Sequence, residues 1–80
     1  MSAPTRRRLT AEERRSAILD AALTAFSQKG YHATSLDDIA GEAGVSKALI
    51  YEHFASQQEL HADLIARNAR ELTQRVAGAL

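Results

Sequence analysis

Eighty residues hold one domain at most, and a core of that size is worth only ~3–5 kcal/mol. The chain has no cysteine, which excludes disulfides and thiolate metal sites, and no apolar run approaches the ~20 residues that span a bilayer. Ten basic residues balance ten acidic ones for a net charge of zero, which taken alone argues weakly against a nucleic-acid partner.

Distribution matters more than the sum. Arg6, Arg7, Arg8, Arg14 and Arg15 crowd the amino-terminal part, opposed there by Glu12 and Glu13, whereas Asp37, Asp38, Glu42 and Glu52 lie in the middle. The basic opening MSAPTRRR runs into the charged TAEERR and not into an apolar stretch, so it does not read as a secretory leader. A cytoplasmic protein with no membrane partner is expected, with residues 1–9 as a basic flexible arm. The apolar residues are mostly Ala, Leu and Ile, good helix formers, and no strand signal occurs. The expected class is all-α.

Four helices are predicted, at about 10–29, 36–43, 46–53 and 57–80. Thr10 can cap the first, with Glu13 completing a capping box. Its apolar stripe is Ile18, Leu19, Ala22, Ala25 and Phe26, one helical face. Lys29 and Gly30 close it, a cation in the last turn followed by a residue that tolerates a left-handed cap. Ser35 caps the second helix, with Asp37 and Asp38 in the turn where the helix dipole favours negative charge. Leu36, Ile39, Ala40 and Ala43 form its buried side, and Gly44 ends it early. Ser46 caps a third short helix whose apolar set is Val45, Leu49, Ile50 and Phe54. Ser56 caps the fourth, which carries Leu60, Leu64, Ile65, Leu72 and Val76 on one side. At 1.5 Å per residue this helix is about 36 Å long, more than a three-helix head can cover. Leu60, Leu64 and Ile65 are therefore expected to reach the core, and Leu72, Val76 and Leu80 to overhang, with fraying beyond about Arg70.

Two short helices around a glycine turn suit a helix-turn-helix unit. Ala40 is small where the helices cross, Gly44 supplies a permissive backbone, and Ile50 closes the contact. On these positions alone a plain helical hairpin fits as well. Enzymatic chemistry finds no inventory: His32, His53 and His61 never stand at the spacing of a helical metal site. Glu59 and Asp63 share a face that reads as solvated, and a domain this small has little room for a ~300 Å³ pocket. No enzyme, cofactor or metal is expected.

From Arg15 to Leu60 the chain reads R-x-x-I-L-x-A-A-x-x-x-F, G-Y-x-x-T-S-L-x-x-I-A, A-G-V-S-K-x-x-I-Y-x-H-F and S-x-x-E-L. In this order and spacing the blocks resemble the amino-terminal domain of TetR-family repressors. The resemblance implies sequence-specific binding of double-stranded DNA by a three-helix head whose third helix enters the major groove. It also implies a fourth helix leading to a dimerising body that binds a small-molecule effector, a body absent from these residues. A homodimer on a palindromic operator is implied for the full-length context, and a monomer on one half-site for this chain.

Positions near the start of a recognition helix face base edges, here Ser46, Lys47, Ala48 and Leu49. Lys47 can donate to guanine or take a phosphate; Ala48 and Leu49 offer apolar contact, and Leu49 reads equally as core. Tyr51 and His53 resemble the family's phosphate-gripping pair, against a half-buried ring and an ordinary surface histidine. Thr34 and Ser35 sit at a helix start suited to phosphate, and Ser35 is also explained by capping. Gln57 stands where many members carry lysine in F-x-S-K-E-x-L, so it can donate a hydrogen bond but brings no charge. Arg6, Arg7 and Arg8 read either as an arm entering the minor groove or as a charged tail adding non-specific attraction. The rival to DNA binding is a helical protein-interaction module on the same scaffold.

Overall fold

A computed structural model describes the backbone of residues 10–79 and the side chains to residue 74. The arm residues Arg6, Arg7 and Arg8, Leu80 and the side chain of Val76 lie outside the described set. The described residues form four helices: α1 (Ala11–Lys29), α2 (Leu36–Ala43), α3 (Lys47–His53) and α4 (Gln57–Ala79). No described helix is long and apolar enough to cross a membrane.

Local chemistry sets each start. Thr10 Oγ1 accepts from the Glu13 N–H at 3.0 Å while Glu13 Oε1 accepts from the Thr10 N–H at 2.9 Å, a complete capping box. Ser35 and Asp38 form a second box, Ser46 Oγ accepts from the Leu49 N–H, and Ser56 Oγ accepts from the Glu59 N–H. These bonds satisfy amide donors that a helix leaves orphaned in its first turn. Gly30 ends α1 at φ +87°, with positive φ as expected but an extended ψ of 158° instead of the left-handed helical value.

Ile18, Leu19, Ile39, Ile50, Phe54 and Leu60 are fully buried and meet in one core, joined by Ala22, Ala25, Ala40 and Leu64. Every helix contributes, so none of the short ones stands on its own stability; helices below ~12–15 residues are marginal alone in water. Ala21 is also buried, three residues on from Ile18 and so on the same side of the helix, a position absent from the predicted stripe. Ile65 corrects the expectation for α4: it is 54% exposed, since Leu60 and Leu64 take the inward line and Ile65, one residue on, is rotated ~100° away. Leu72, at 59% exposure, overhangs as predicted.

Two ionic contacts tie α4 across α1. Arg15 Nη2 lies 2.7 Å from Asp63 Oδ2 with its guanidinium 5.0 Å from the centre of the Phe54 ring. Further along, Arg67 Nη2 lies 2.9 Å from Asp20 Oδ1. Asp63 is thus a partner of Arg15 and not merely one charge of a solvated face. Phe26, Tyr31 and His61 cluster at the other end of the α1–α4 contact, the Phe26 and His61 rings edge to face and the Tyr31 and His61 rings tilted with centroids 4.4 Å apart. A hollow of about 310 Å³ lined by Ala17, Asp20, Ala21, Thr24, Glu42 and Ala43 is larger than the sequence led one to expect, but it opens widely to solvent.

Candidate nucleic-acid interface

The helix-turn-helix rests on the trio Ala40, Gly44 and Ile50. Ala40 and Ile50 are buried, and Gly44 adopts φ +72°, ψ 31°, its N–H donating back towards the Ala40 and Gly41 carbonyls. That left-handed cap lets α2 stop and α3 start within a few residues. Crowding plays no part: a Cβ placed on Gly44 would meet nothing within 4 Å. The glycine is required by the backbone angle, as its place in the turn suggested, and not by the space.

Ile50 and Phe54 face the core, so α3 turns its other side outward. Ser46, Lys47, Ala48 and Tyr51 are exposed and Leu49 is half-buried. Tyr51 is 52% exposed, which leaves part of the residue open to solvent. Ser46 is occupied as a cap, but its hydroxyl accepts there, so the O–H proton can still donate. Lys47 Nζ lies 3.5 Å from Asp37 Oδ2, an ion pair bridging the starts of α2 and α3. His53 is half-buried with Nε2 sealed from solvent and without a hydrogen-bond partner among the described residues. A phosphate could then be reached only through Nδ1, in the tautomer that carries its proton there.

Two of the residues expected to contact phosphate have their side-chain donors engaged inside the fold. Thr34 is only 3% exposed; its hydroxyl lies 2.7 Å from the Gly30 carbonyl and 3.3 Å from that of Ala25, and donates inward. The residue staples the α1–α2 link to the end of α1. Gln57 Nε2 donates to the carbonyls of Thr34 at 2.8 Å and Tyr31 at 3.3 Å, pinning the start of α4 to the same link. Both amide hydrogens are thereby spent inside the fold. We expect Thr34→Val and Gln57→Ala each to cost about 1–3 kcal/mol in chemical denaturation. DNA affinity should fall only as far as folding does, whereas loss of a phosphate contact would weaken specific and random duplex alike at unchanged stability.

Ser35 is the cap of α2. Its Oγ accepts from the Asp38 N–H at 3.1 Å and its N–H donates to Asp38 Oδ2 at 2.9 Å, which leaves the hydroxyl proton for a phosphate. The bond from the Ser35 backbone, then Lys29 at 3.2 Å and the Ser35 side chain, hold the Asp38 carboxyl below its ordinary value. The folded state is the more acidic one, so this contribution is complete well above the usual aspartate value of about 3.9 and is lost as pH falls through the lowered folded value. The Asp37–Lys47 and Asp38–Lys29 pairs were not foreseen, because nothing in a spacing of ten or nine residues across a turn marks them.

Residues 18–64 match the family model described as bacterial regulatory proteins, tetR family. The chain is 44% identical over 73 residues to the HTH-type transcriptional activator FasR of Mycolicibacterium smegmatis, a match covering 91% of this chain and 33% of FasR. It is 48% identical over 44 residues to the negative transcriptional regulator IcaR of the biofilm operon icaADBC in Staphylococcus aureus, covering 55% of this chain and 24% of IcaR. A TetR-like transcriptional regulator from Rhodococcus sp. RHA1 superposes with a TM-score of 0.84 at 39% identity, over 90% of this chain and 39% of that one. A mutant of HlyIIR superposes with a TM-score of 0.71 at 30% identity, over 74% of this chain and 33% of that one. The chain thus spans about a third or less of the curated relatives it matches. With the helix-turn-helix trio in place and the family pattern running from α1 into α4, the chain belongs to the TetR family of bacterial regulatory proteins.

Proposed function

We propose that this chain is the DNA-reading head of a cytoplasmic transcriptional regulator, binding double-stranded DNA with α3 in the major groove. The observation that carries this reading is the division of α3 into a buried side, Ile50, and an outward side of Ser46, Lys47, Ala48 and Tyr51. That side combines an ammonium and two hydroxyls with a small apolar contact, a set suited to phosphates and base edges. Lys47 is the base reader, Ser35, Tyr51 and the Nδ1 edge of His53 grip the backbone, and Leu49 contributes a partial apolar surface. Arg6, Arg7 and Arg8 add minor-groove or non-specific attraction.

FasR is named an activator and IcaR a negative regulator, yet both share this head. We infer that the head supplies the address on DNA and that the sign of regulation is set by what it carries, repression needing only occlusion of a promoter. In a chain of the relatives' length, dimerisation on a palindromic operator and the effector site belong to the body beyond α4. This chain alone is expected to bind one half-site as a monomer, by a binding function and not by catalysis.

A salt titration tests the reading. DNA affinity must fall linearly in log–log form with added salt, at about 0.9 per neutralised phosphate, whereas a protein-interaction module would show no affinity for duplex. Tyr51→Phe is expected to weaken specific and random duplex by the same factor, about tenfold. Lys47→Ala should relax discrimination at one or two base pairs by about 1–3 kcal/mol. A changed base preference in the first variant, or a uniform loss in the second, would reverse the two assignments.

A further inference from the structure

Asp37 and Asp38 both lie in the first turn of α2, but their surroundings differ. Asp38 completes the cap of α2 and pairs with Lys29. Asp37 takes no part in that cap; its carboxylate is 73% exposed and reaches across the turn to Lys47 Nζ at 3.5 Å. A favourable charge near a helix start is a small effect at such an exposed place. It does not account for a carboxylate standing beside the base-reading lysine, on a surface that would meet a polyanion.

We propose that Asp37 is a specificity-determining residue of the DNA-reading surface and forms with Lys47 a single unit that selects a G·C base pair. The inference rests on the DNA-binding reading above. An ionised carboxylate only accepts hydrogen bonds. In the major groove it is repelled by guanine N7 and O6 and by thymine O4, and finds donors only at the amino groups of cytosine and adenine. An ammonium beside it seeks acceptors. Across a G·C pair the groove presents N7, O6 and then the cytosine amino group, two acceptors followed by a donor. Lys47 and Asp37 match that order without a clash. Across an A·T pair the amino group lies between two acceptors, so a carboxylate drawn to it meets thymine O4. The same pairing acts on random DNA: a lysine held by a carboxylate gives up less to a phosphate, so sequence-independent attraction is lowered while the selective contact is kept.

The test is selection of bound sites from a random duplex pool by the whole chain, followed by titration of selected and random duplexes. The native chain should enrich one G·C pair in a fixed orientation. Asp37→Ala should lose that preference by about tenfold or more while binding random duplex more tightly, with a salt slope steeper by about one unit as Lys47 turns to a phosphate. Asp37→Asn offers a donor as well as an acceptor and should shift the preference towards adenine, whose N6 and N7 it can pair. Since Asp37 is exposed and not the cap, both variants should melt close to the native chain, and Asp37→Asn carries the test if Asp37→Ala does not fold. Retention of the native preference in a folded variant, with or without a uniform rise in affinity, overturns the proposal and leaves DNA binding standing. Absence of duplex binding by the native chain overturns both.

Discussion

Phe54→Ala is expected to leave the chain without a cooperative thermal transition at 25 °C. Phe54 is 1% exposed and sits just past α3, in extended conformation at φ −139°, ψ 129°, its N–H donating to the Ile50 carbonyl at 2.9 Å. The ring fills the place where α3 turns into α4, and Arg15 from α1 lies over its face while bonding Asp63 of α4. Removing a buried phenyl costs about 3–5 kcal/mol, as much as the whole stability of a core this small. Ile50 and the Ser46 cap cannot hold a seven-residue α3 once the core around it is lost, so DNA binding should vanish together with the fold. Phe54→Leu keeps most of the volume and should cost less than about 1.5 kcal/mol. Circular dichroism against temperature and urea checks both; a Phe54→Ala chain melting within a few degrees of the native one would mean that α3 is held by other contacts.

What the sequence made legible and what it hid divide along the range of the interactions. Caps at Thr10, Ser35, Ser46 and Ser56 act within three residues, so the hydroxyl and its target are visible together in the string, and all four starts lie where they were read. Ile18, Ile39, Ile50 and Leu60 could be placed inward because helical periodicity repeats over short windows. Ile65 could not, since at the edge of an apolar stripe the side that is covered depends on where the neighbouring helix ends. Thr34 shows the same limit for polar groups. A hydroxyl at a helix start serves a phosphate or an internal carbonyl equally well, and only the return of the chain past Ala25 and Gly30 decides between them. Gln57 departs from the family's lysine in charge, yet its geometry turns it towards the α1–α2 link, which no motif could express. Of the site itself, the outward side of α3 was readable because Ile50 fixes the inward one; the Asp37–Lys47 pair, formed between two helices, was not.

Gly44→Val is expected to destabilise the head by about 1–3 kcal/mol, the cost of holding a non-glycine residue in a sparsely populated backbone region, and more than a β-carbon alone would demand. At φ +72° a side chain crowds the following carbonyl, and β-branching adds to the conflict. The surrounding space is open, since a Cβ there meets nothing within 4 Å, so the size of the new side chain should matter only through its effect on the backbone. The expected order of loss is therefore Asn smallest, Ala larger and Val largest, because asparagine tolerates the left-handed region far better than a β-branched residue does. A penalty from helix crowding would rank them by bulk and place alanine as the mildest. The turn also sets where α3 emerges from α2, with the Val45 N–H donating to the Ala40 carbonyl at 3.0 Å, so relaxing Gly44 towards negative φ would displace Lys47 and Tyr51 together. Urea unfolding of the three variants should thus return the order Asn, Ala, Val. DNA affinity should fall in the same order, and Gly44→Asn should retain most of the native binding. If alanine proved milder than asparagine, or if valine left the midpoint unmoved, the left-handed turn at Gly44 would not be what holds the two helices in register.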